Sequence, residues 1–86
     1  MAHRNRDPDV LAEQYVQALA SAVRAEAGAQ RMSLAELARR CDVEKSTFMR
    51  YVNGKREFPL SVLWRVSYEL DMSLDELTKR ALERMP

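Results

Sequence analysis

The sequence predicts an all-α fold, a compact single domain of five helices with an extended first helix. Apolar residues recur at three- and four-residue spacing, which is the period of an amphipathic helix. Two serines are each followed three residues later by a glutamate, a pattern that begins a helix. With 86 residues, 47% of them hydrophobic and only two of them glycine, the chain has room for one small core.

The first helix is predicted over residues 8–28. Asp7 suits the N-cap, and Pro8 suits the first helical position. The apolar stripe of this helix consists of Leu11, Tyr15, Ala18, Leu19, Ala22 and Val23. The helix ends at Gly28 or continues by a further turn to Gln30.

Two short helices joined by a tight turn are predicted over residues 34–41 and 45–53. Ser33 and Glu36 form a capping box, in which the Ser side chain accepts a free amide and the Glu side chain reaches back. The turn carries Asp42, a residue type that tolerates left-handed backbone better than most.

The outer face of the second short helix is polar and cationic. With Phe48 placed in the core, Tyr51 and Val52 fall beside it at about 100° per residue. The outward residues are Lys45, Ser46, Thr47, Met49, Arg50 and Asn53, followed by Lys55 and Arg56. Taken alone, this face is most simply a solvated surface. The steep crossing of the two helices and the lack of an acidic residue after Glu44 favour a ligand-binding face instead.

Positive charge is concentrated around these two helices, although the whole chain has a net charge of only +1. Residues 39–56 contain six cations and two anions, a net charge of +4. The cations are Arg39, Arg40, Lys45, Arg50, Lys55 and Arg56, and the anions are Asp42 and Glu44. Such a local excess matters more than the total charge for binding nucleic acid.

Two further helices are predicted over residues 60–70 and 74–84. Pro59 begins the fourth helix, and Ser73 with Glu76 forms a second capping box ahead of the fifth. The inward residues of the fourth helix are Leu63, Val66, Ser67 and Leu70. The fifth helix buries Leu74 and Leu77.

Trp64 and Tyr68 lie four residues apart on another face of the fourth helix. Our interpretation is that they stack on Tyr15 and Leu11 of the first helix. The alternative is a surface for self-association or for a partner. The last helix offers a second candidate surface of this kind, formed by Ala81, Leu82 and Met85.

The two short helices and their turn resemble the helix-turn-helix of the phage lambda repressor and Cro type, the XRE-like domains. The matching residues are Leu37, Ala38, Val43, Ser46, Thr47, Phe48 and Gly54, then Pro59, Leu63, Val66, Leu70, Ser73, Leu74 and Leu77. The resemblance covers roughly residues 23–82. It departs from the family pattern where Arg31, Asp42 and Asp71 replace glycines and where Glu44 replaces a serine.

The resemblance implies a lambda-repressor-like domain that binds double-stranded DNA, with the second motif helix in the major groove. The residues that would contact bases are Lys45, Ser46, Thr47, Met49 and Arg50. The residues that would contact phosphates are Ser33, Arg39, Asn53, Lys55 and Arg56. Arg50 is the best candidate for a bidentate contact to guanine.

Residues 1–8 are predicted to form a flexible basic arm ahead of a domain over residues 9–86. Simple disorder is the plainer interpretation of this segment. In some relatives such arms reach around the duplex, and Arg4 and Arg6 are the candidates for minor-groove contacts here.

The function implied by the resemblance is transcriptional regulation, most simply repression by occupying an operator. A phage immunity repressor and a small bacterial regulator both fit, and because a C-terminal helix often pairs two subunits in relatives, the last helix is the candidate contact for a homodimer. Two alternatives stay open: the antitoxin of a toxin–antitoxin pair, and a protein-interaction module on the same fold. In the interaction module Trp64, Tyr68 and the last helix would form the working surface.

The sequence gives no indication of an enzyme, a cofactor, a metal site or a small-molecule ligand. The single cysteine, Cys41, excludes an internal disulfide and lies on an apolar helix face, so we expect a buried structural thiol. His3 has no second histidine with which to hold a metal. No apolar run approaches membrane-spanning length and no segment resembles a signal peptide, so we expect a cytoplasmic protein.

Overall fold

The structure, a computed structural model, describes residues 7–86 as five α-helices. They are α1 (Pro8–Ala29), α2 (Leu34–Arg40), α3 (Lys45–Val52), α4 (Leu60–Glu69) and α5 (Leu74–Glu83). No strand occurs between residues 7 and 86. The prediction of an all-α, five-helix domain is confirmed. The molecule measures 42 × 22 × 20 Å, and its length reflects α1, which at 1.5 Å per residue is about 33 Å long.

The core draws at least one large side chain from every helix. The largest fully buried side chains are Phe48, Leu37, Leu70, Leu77, Val23, Val52 and Val66. α1 packs along α5 and also contacts α2 and α3, while α4 contacts α2 and α5. After α3, the ring of Phe58 closes the core, lying edge-on to Phe48 at 6.3 Å and tilted against Tyr51 at 5.5 Å. The two short helices are therefore held in a fixed relative position by a shared apolar interior.

Side-chain caps begin three of the helices, as predicted. Asp7 Oδ1 accepts the amide of Asp9 at 2.8 Å at the start of α1. Ser33 Oγ accepts the amide of Glu36 at 3.1 Å, and Ser73 Oγ accepts the amide of Glu76 at 3.0 Å. These caps satisfy amides that have no partner within their own helix.

In each predicted capping box, the hydrogen bond from the serine backbone amide to the glutamate side chain is not formed. This part of the prediction is wrong. The Glu36 carboxylate instead accepts hydrogen bonds from Arg39 and Arg40, and the Glu76 carboxylate accepts one from Arg80. Each arginine lies three or four residues after its glutamate, on the same face of the helix. A hydrogen bond between a carboxylate and a guanidinium joins two ionised groups and is stronger than one from an uncharged backbone amide. The carboxylates therefore bind the arginines.

Helices α1 to α4 all end in the same backbone arrangement, a Schellman motif. At the end of α2, for example, the Asp42 amide donates to the Arg39 carbonyl at 3.1 Å and the Val43 amide donates to the Ala38 carbonyl at 3.0 Å. The left-handed residues at the four ends are Arg31 (φ 57°), Asp42 (φ 58°), Gly54 (φ 73°) and Asp71 (φ 56°). Three of these are the sites at which the sequence departs from the family's glycines, so each departure places a side chain on left-handed backbone.

α1 continues past Gly28 to Ala29, with Gln30 as its C-cap. Gly28 is exposed, and a Cβ atom there would meet no atom within 4 Å. The left-handed residue that ends α1 is Arg31 rather than this glycine. Gln30 has a further contact, since its Nε2 donates to the Leu70 carbonyl at the end of α4 at 2.6 Å.

Arg31→Gly is expected to stabilise the domain by about 0.5–1 kcal/mol. The left-handed conformation costs an ordinary residue roughly 1–2 kcal/mol, and the greater freedom of glycine in the unfolded chain offsets about 0.4–1 kcal/mol of that relief. Ala29→Gly, at an exposed helical position two residues earlier, is the matched control and should destabilise by about 0.5–1 kcal/mol. The measurement is urea unfolding of both variants, and destabilisation by both would contradict the cost assigned to Arg31.

The predicted stacking of Trp64 and Tyr68 on the first helix is wrong. Their rings stack on each other, with centroids 5.7 Å apart and planes 11° apart. The side chains remain 54% and 66% exposed. The inner face of α4 is already occupied by Leu63 and Val66, so the pair lies on the outer face. On α1, Tyr15 packs against the core without them.

One residue of the second predicted surface is also misplaced. Ala81 is fully buried, because it follows Leu77 by four residues on the core face of α5. Leu82 is 59% exposed, and Met85 is half-buried. The expected apolar stripe on the last helix is thus reduced to one exposed leucine and a half-buried methionine.

Candidate nucleic-acid interface

α3 buries one face and presents the opposite face to solvent. Its buried residues are Phe48, Tyr51 and Val52. Of the residues predicted to contact DNA from α3 and its end, Lys45, Ser46, Arg50 and Asn53 are exposed. Thr47 and Met49 are half-buried at the edges of this face, and Met49 packs against the core.

The start of α3 carries a contact that the sequence did not indicate. Glu44 is the N-cap residue but makes no capping hydrogen bond. Its carboxylate instead accepts the hydroxyl proton of Ser46. With its proton donated to Glu44, the Ser46 oxygen can only accept a hydrogen bond from a ligand, which suits the amino group of adenine or cytosine.

Two more cations follow directly after α3. Lys55 and Arg56 are exposed, and their amides both donate to the Arg50 carbonyl, at 2.9 and 3.3 Å. These backbone bonds hold the loop against the end of the helix. The two side chains are therefore carried by ordered backbone next to the exposed face of α3.

The cations of the helix-turn-helix divide into paired and unpaired groups. Within residues 7–86, four of them have no carboxylate oxygen within 4.0 Å: Lys45, Arg50, Lys55 and Arg56. Arg39 and Arg40, by contrast, lie 2.6 and 2.9 Å from the carboxylate of Glu36. Among the cations of residues 39–56, those without a carboxylate partner are thus the ones on α3 and the loop that follows it.

Arg39, predicted to contact phosphate, is bound to Glu36 by two hydrogen bonds, of 2.9 and 2.6 Å. The bonds from Arg39 and Arg40 lower the pKa of the Glu36 carboxyl to about 2, so it stays ionised well into the acidic range. A phosphate would have to share or displace this carboxylate to engage Arg39. The three- and four-residue spacing in the sequence was the signal for this pairing.

Ser33 lies at the start of α2, where its Oγ accepts the amide of Glu36 at 3.1 Å. Its hydroxyl proton has no acceptor among residues 7–86. A serine at a helix start can therefore donate to a phosphate without losing its cap. Arg4 and Arg6, the predicted minor-groove arm, lie outside the described residues.

Two side chains of α1 fix the C-terminal end of α3. Arg24 Nη1 donates to the Val52 carbonyl, and Gln17 Nε2 donates to the Gly54 carbonyl at 2.7 Å. Carbonyl groups at a helix end lack intrahelical partners, and a guanidinium there also meets the negative end of the helix dipole. Sequence analysis missed both contacts, since they join residues 28 and 37 positions apart.

Gln17 leaves no room for a Cβ atom at position 54, so any other residue there would displace the end of this flexible side chain. A Cβ atom there would lie 2.3 Å from Gln17 Oε1, which is closer than two non-bonded atoms can approach. Gly54 also has a φ of +73°, which disfavours any other residue. The end of α3 is therefore specified both by backbone conformation and by contact with α1.

Cys41 is expected to resist thiol–disulfide exchange in the native protein at pH 8. The thiol is only 4% exposed, and burial raises its pKa to about 11, with the Glu69 charge acting in the same direction. The reactive thiolate is therefore scarce at pH 8. Reaction with a chromogenic disulfide should be slow in buffer and fast in denaturant. Labelling at the rate of the denatured chain would contradict the burial of this thiol.

Within residues 7–86, His, Cys, Asp and Glu side chains form no group of three that could hold a metal ion. None of the five helices combines the length and apolar character needed to cross a membrane.

The five-helix fold and the exposed cationic helix define a helix-turn-helix domain of the DNA-binding class. The sequence profile of the Cro/C1-type HTH DNA-binding domain matches residues 23–81, and the chain belongs to this family. The predicted resemblance is confirmed. Residues 8–22 of α1 precede the matched region.

A solved structure supports the same fold. The crystal structure of the clp gene regulator ClgR from Corynebacterium glutamicum is similar to this chain with a TM-score of 0.77. The two share 23% sequence identity over 80% of this chain and 73% of that chain. Among curated proteins, none matches the sequence.

Proposed function

We propose that this domain binds double-stranded DNA in a sequence-specific manner, with α3 in the major groove, and that it regulates transcription. The supporting observation is the division of the cations. Those on α3 and the following loop have no carboxylate partner among residues 7–86, whereas Arg39 and Arg40 are paired with Glu36. Unpaired cations on a protruding helix suit a polyanion with readable base edges.

The proposed base contacts come from the exposed face of α3. Lys45 and Arg50 donate to guanine, and Ser46 accepts from an amino group. Thr47 and Met49, at the edges of the face, supply apolar contacts to a thymine methyl group.

The proposed phosphate contacts lie at both ends of the motif. Asn53, Lys55 and Arg56 follow α3, and Ser33 and Arg39 belong to α2 and its cap. Such contacts set the register of the protein on the duplex but carry no sequence information. We further propose that the first eight residues form an arm whose Arg4 and Arg6 contact the minor groove.

The simplest regulatory role for this geometry is repression. A domain that occupies the major groove of an operator blocks access to the promoter without needing a second activity. We propose a repressor of the phage immunity type, or a small bacterial regulator, that acts in the cytoplasm.

The test is selection from random duplex DNA, followed by binding measurements over a range of salt concentrations. One short site should be enriched. Lys55 and Arg56 each neutralise one phosphate, whereas the charge of Arg39 is already balanced by Glu36, so the slope of log K against log salt should be about −2 per domain. The double variant Lys55→Ala/Arg56→Ala should bring this slope close to zero. Absence of an enriched site would contradict sequence-specific binding, and a flat salt dependence would contradict the phosphate contacts.

A further inference from the structure

The carboxylate of Glu36 lies between two arginines of α2. It accepts hydrogen bonds from Arg39 Nε and Nη2, at 2.9 and 2.6 Å, and one from Arg40 Nε at 2.9 Å. Arg40 also lies 4.0 Å from the carboxylate of Glu69. Two carboxylates therefore balance two guanidinium groups, and this cluster adds no net positive charge to the helix-turn-helix.

Arg39 is the most exposed member of this cluster. Its side chain is 71% exposed, against 44% for Arg40 and 33% for Glu36. A guanidinium has five N–H donors, and Arg39 uses two of them on Glu36. The other three, one on Nη2 and two on Nη1, make no hydrogen bond within residues 7–86. Arg39 thus keeps donors for a phosphate oxygen although its charge is already balanced.

The two bonds to Glu36 also fix where those donors lie. A parallel pair of hydrogen bonds between a guanidinium and a carboxylate holds the two groups in one plane. Residues 33, 36 and 39 follow each other at intervals of three and so share one face of α2. The Arg39 guanidinium is therefore held on the same face as the hydroxyl of Ser33, the other phosphate contact proposed for α2.

From this geometry we propose that Glu36 is a positioning residue that makes the domain more selective for its own site over random DNA. A random sequence is bound through net positive charge, which releases counterions from the phosphates wherever the domain lies. Glu36 cancels the charge of Arg39 and so removes it from this attraction. In the specific complex the base contacts fix the register, and Arg39, already oriented, donates to one phosphate. This inference rests on the proposed DNA-binding function.

Glu36→Gln should raise the affinity for random duplex DNA. Glutamine keeps the length of the side chain but loses the charge, so Arg39 becomes an unbalanced cation. The affinity should rise roughly five- to tenfold at about 0.1 M salt, and the slope of log K against log salt should steepen from about −2 to about −3. A slope that stays at the wild-type value would overturn the proposal.

The affinity of Glu36→Gln for the selected site should change much less. The added charge strengthens binding there too, but Arg39 is no longer held in place. Fixing such a side chain on binding costs about two- to twelvefold in affinity, which offsets the gain. The ratio of specific to random affinity should therefore fall, and an unchanged or higher ratio would contradict the role of Glu36.

The double variant Glu36→Gln/Arg39→Ala has the same net charge as the wild type, because it loses one anion and one cation. Its affinity for random duplex and its salt slope should return to the wild-type values. It should bind the selected site about two- to tenfold more weakly than the wild type, since one positioned hydrogen bond is lost. A slope that stays near −3, or wild-type affinity for the selected site, would overturn the part assigned to Arg39.

Glu76→Gln is the matched control. Glu76 has the same local setting on α5, where Ser73 Oγ accepts its amide at 3.0 Å and Arg80 donates to its carboxylate at 3.1 Å. Because α5 lies outside the helix-turn-helix, this variant should leave the salt slope and the selectivity unchanged. An equal rise in random binding for Glu76→Gln and Glu36→Gln would show a general effect of net charge and overturn the proposal.

The measurements are titrations of two labelled duplexes of equal length, one with the selected site and one with a scrambled sequence. They are repeated at several concentrations between about 50 and 200 mM salt. If the wild type binds neither duplex, the proposed function fails and this inference fails with it. If the wild type binds and Glu36→Gln leaves the slope on the scrambled duplex unchanged, only the role of Glu36 is overturned. Circular dichroism confirms that each variant is folded.

Discussion

Arg50→Ala is expected to weaken binding to the selected DNA site by about 5- to 150-fold, which corresponds to about 1–3 kcal/mol. Arg50 is exposed on α3, and its guanidinium has no carboxylate within 4.0 Å among residues 7–86. Its donors are therefore free for the two acceptors of a guanine edge. The measurement is a titration against the site and against every single-base change in it, and preference should relax at one base pair.

Two control variants separate sequence recognition from charge. Arg50→Lys keeps the charge but cannot form the bidentate contact, so it should retain non-specific affinity and lose the preference. Lys55→Ala should weaken all sequences alike and reduce the salt slope by about one. If Arg50→Ala changes neither affinity nor preference, the proposed orientation of α3 in the groove is wrong.

Gly54→Ala is expected to destabilise the domain by about 2 kcal/mol. Left-handed backbone costs an alanine roughly 1–2 kcal/mol. The new Cβ atom would also displace Gln17, and losing that hydrogen bond costs about 1 kcal/mol. The lower entropy of alanine in the unfolded chain offsets about 0.4–1 kcal/mol of the sum. The measurement is the free energy of unfolding from urea titration.

Gly28→Ala is the matched control for this prediction, because it is the same change at the other glycine. Gly28 is helical, and a Cβ atom there would meet nothing within 4 Å. This variant should therefore stabilise by about 0.5–1 kcal/mol. Equal effects at the two positions would contradict both the left-handed backbone at Gly54 and its close contact with Gln17.

Much of the fold could be predicted from local signals. Helical periodicity marked the five helices, and Ser33, Ser73 and Asp7 marked three of their starts. Asp42 was predicted to tolerate left-handed backbone, whereas Arg31 and Asp71 were noted only as departures from the family's glycines, and the structure places all three at left-handed helix ends. Each of these signals acts within a few residues of the structure it produces.

Contacts between distant parts of the chain carried no comparable signal. Nothing in the sequence around Gln17 or Arg24 indicates that they bind carbonyl groups 37 and 28 residues away. The misplacement of Trp64 and Tyr68 has the same origin, since helical spacing groups them on one face but does not say what that face meets. The exposed residues of α3 could be predicted because the helical period within this one helix determines which residues lie opposite its buried face.

The contacts of Gln17 and Arg24 also bear on how the domain opens. A helix tied at its end to the longest helix of the fold cannot fray by itself without breaking those bonds. Local opening requires the least free energy where few buried contacts and hydrogen bonds are lost. Opening α3 would expose both Phe48 and Val52, which lie in the core. The hydrogen-bonded amides of α3, from Phe48 to Val52, should therefore exchange with solvent only when the whole domain unfolds. The proposed DNA-reading helix then belongs to the same cooperative unit as the core and stays rigid whether or not a ligand is bound.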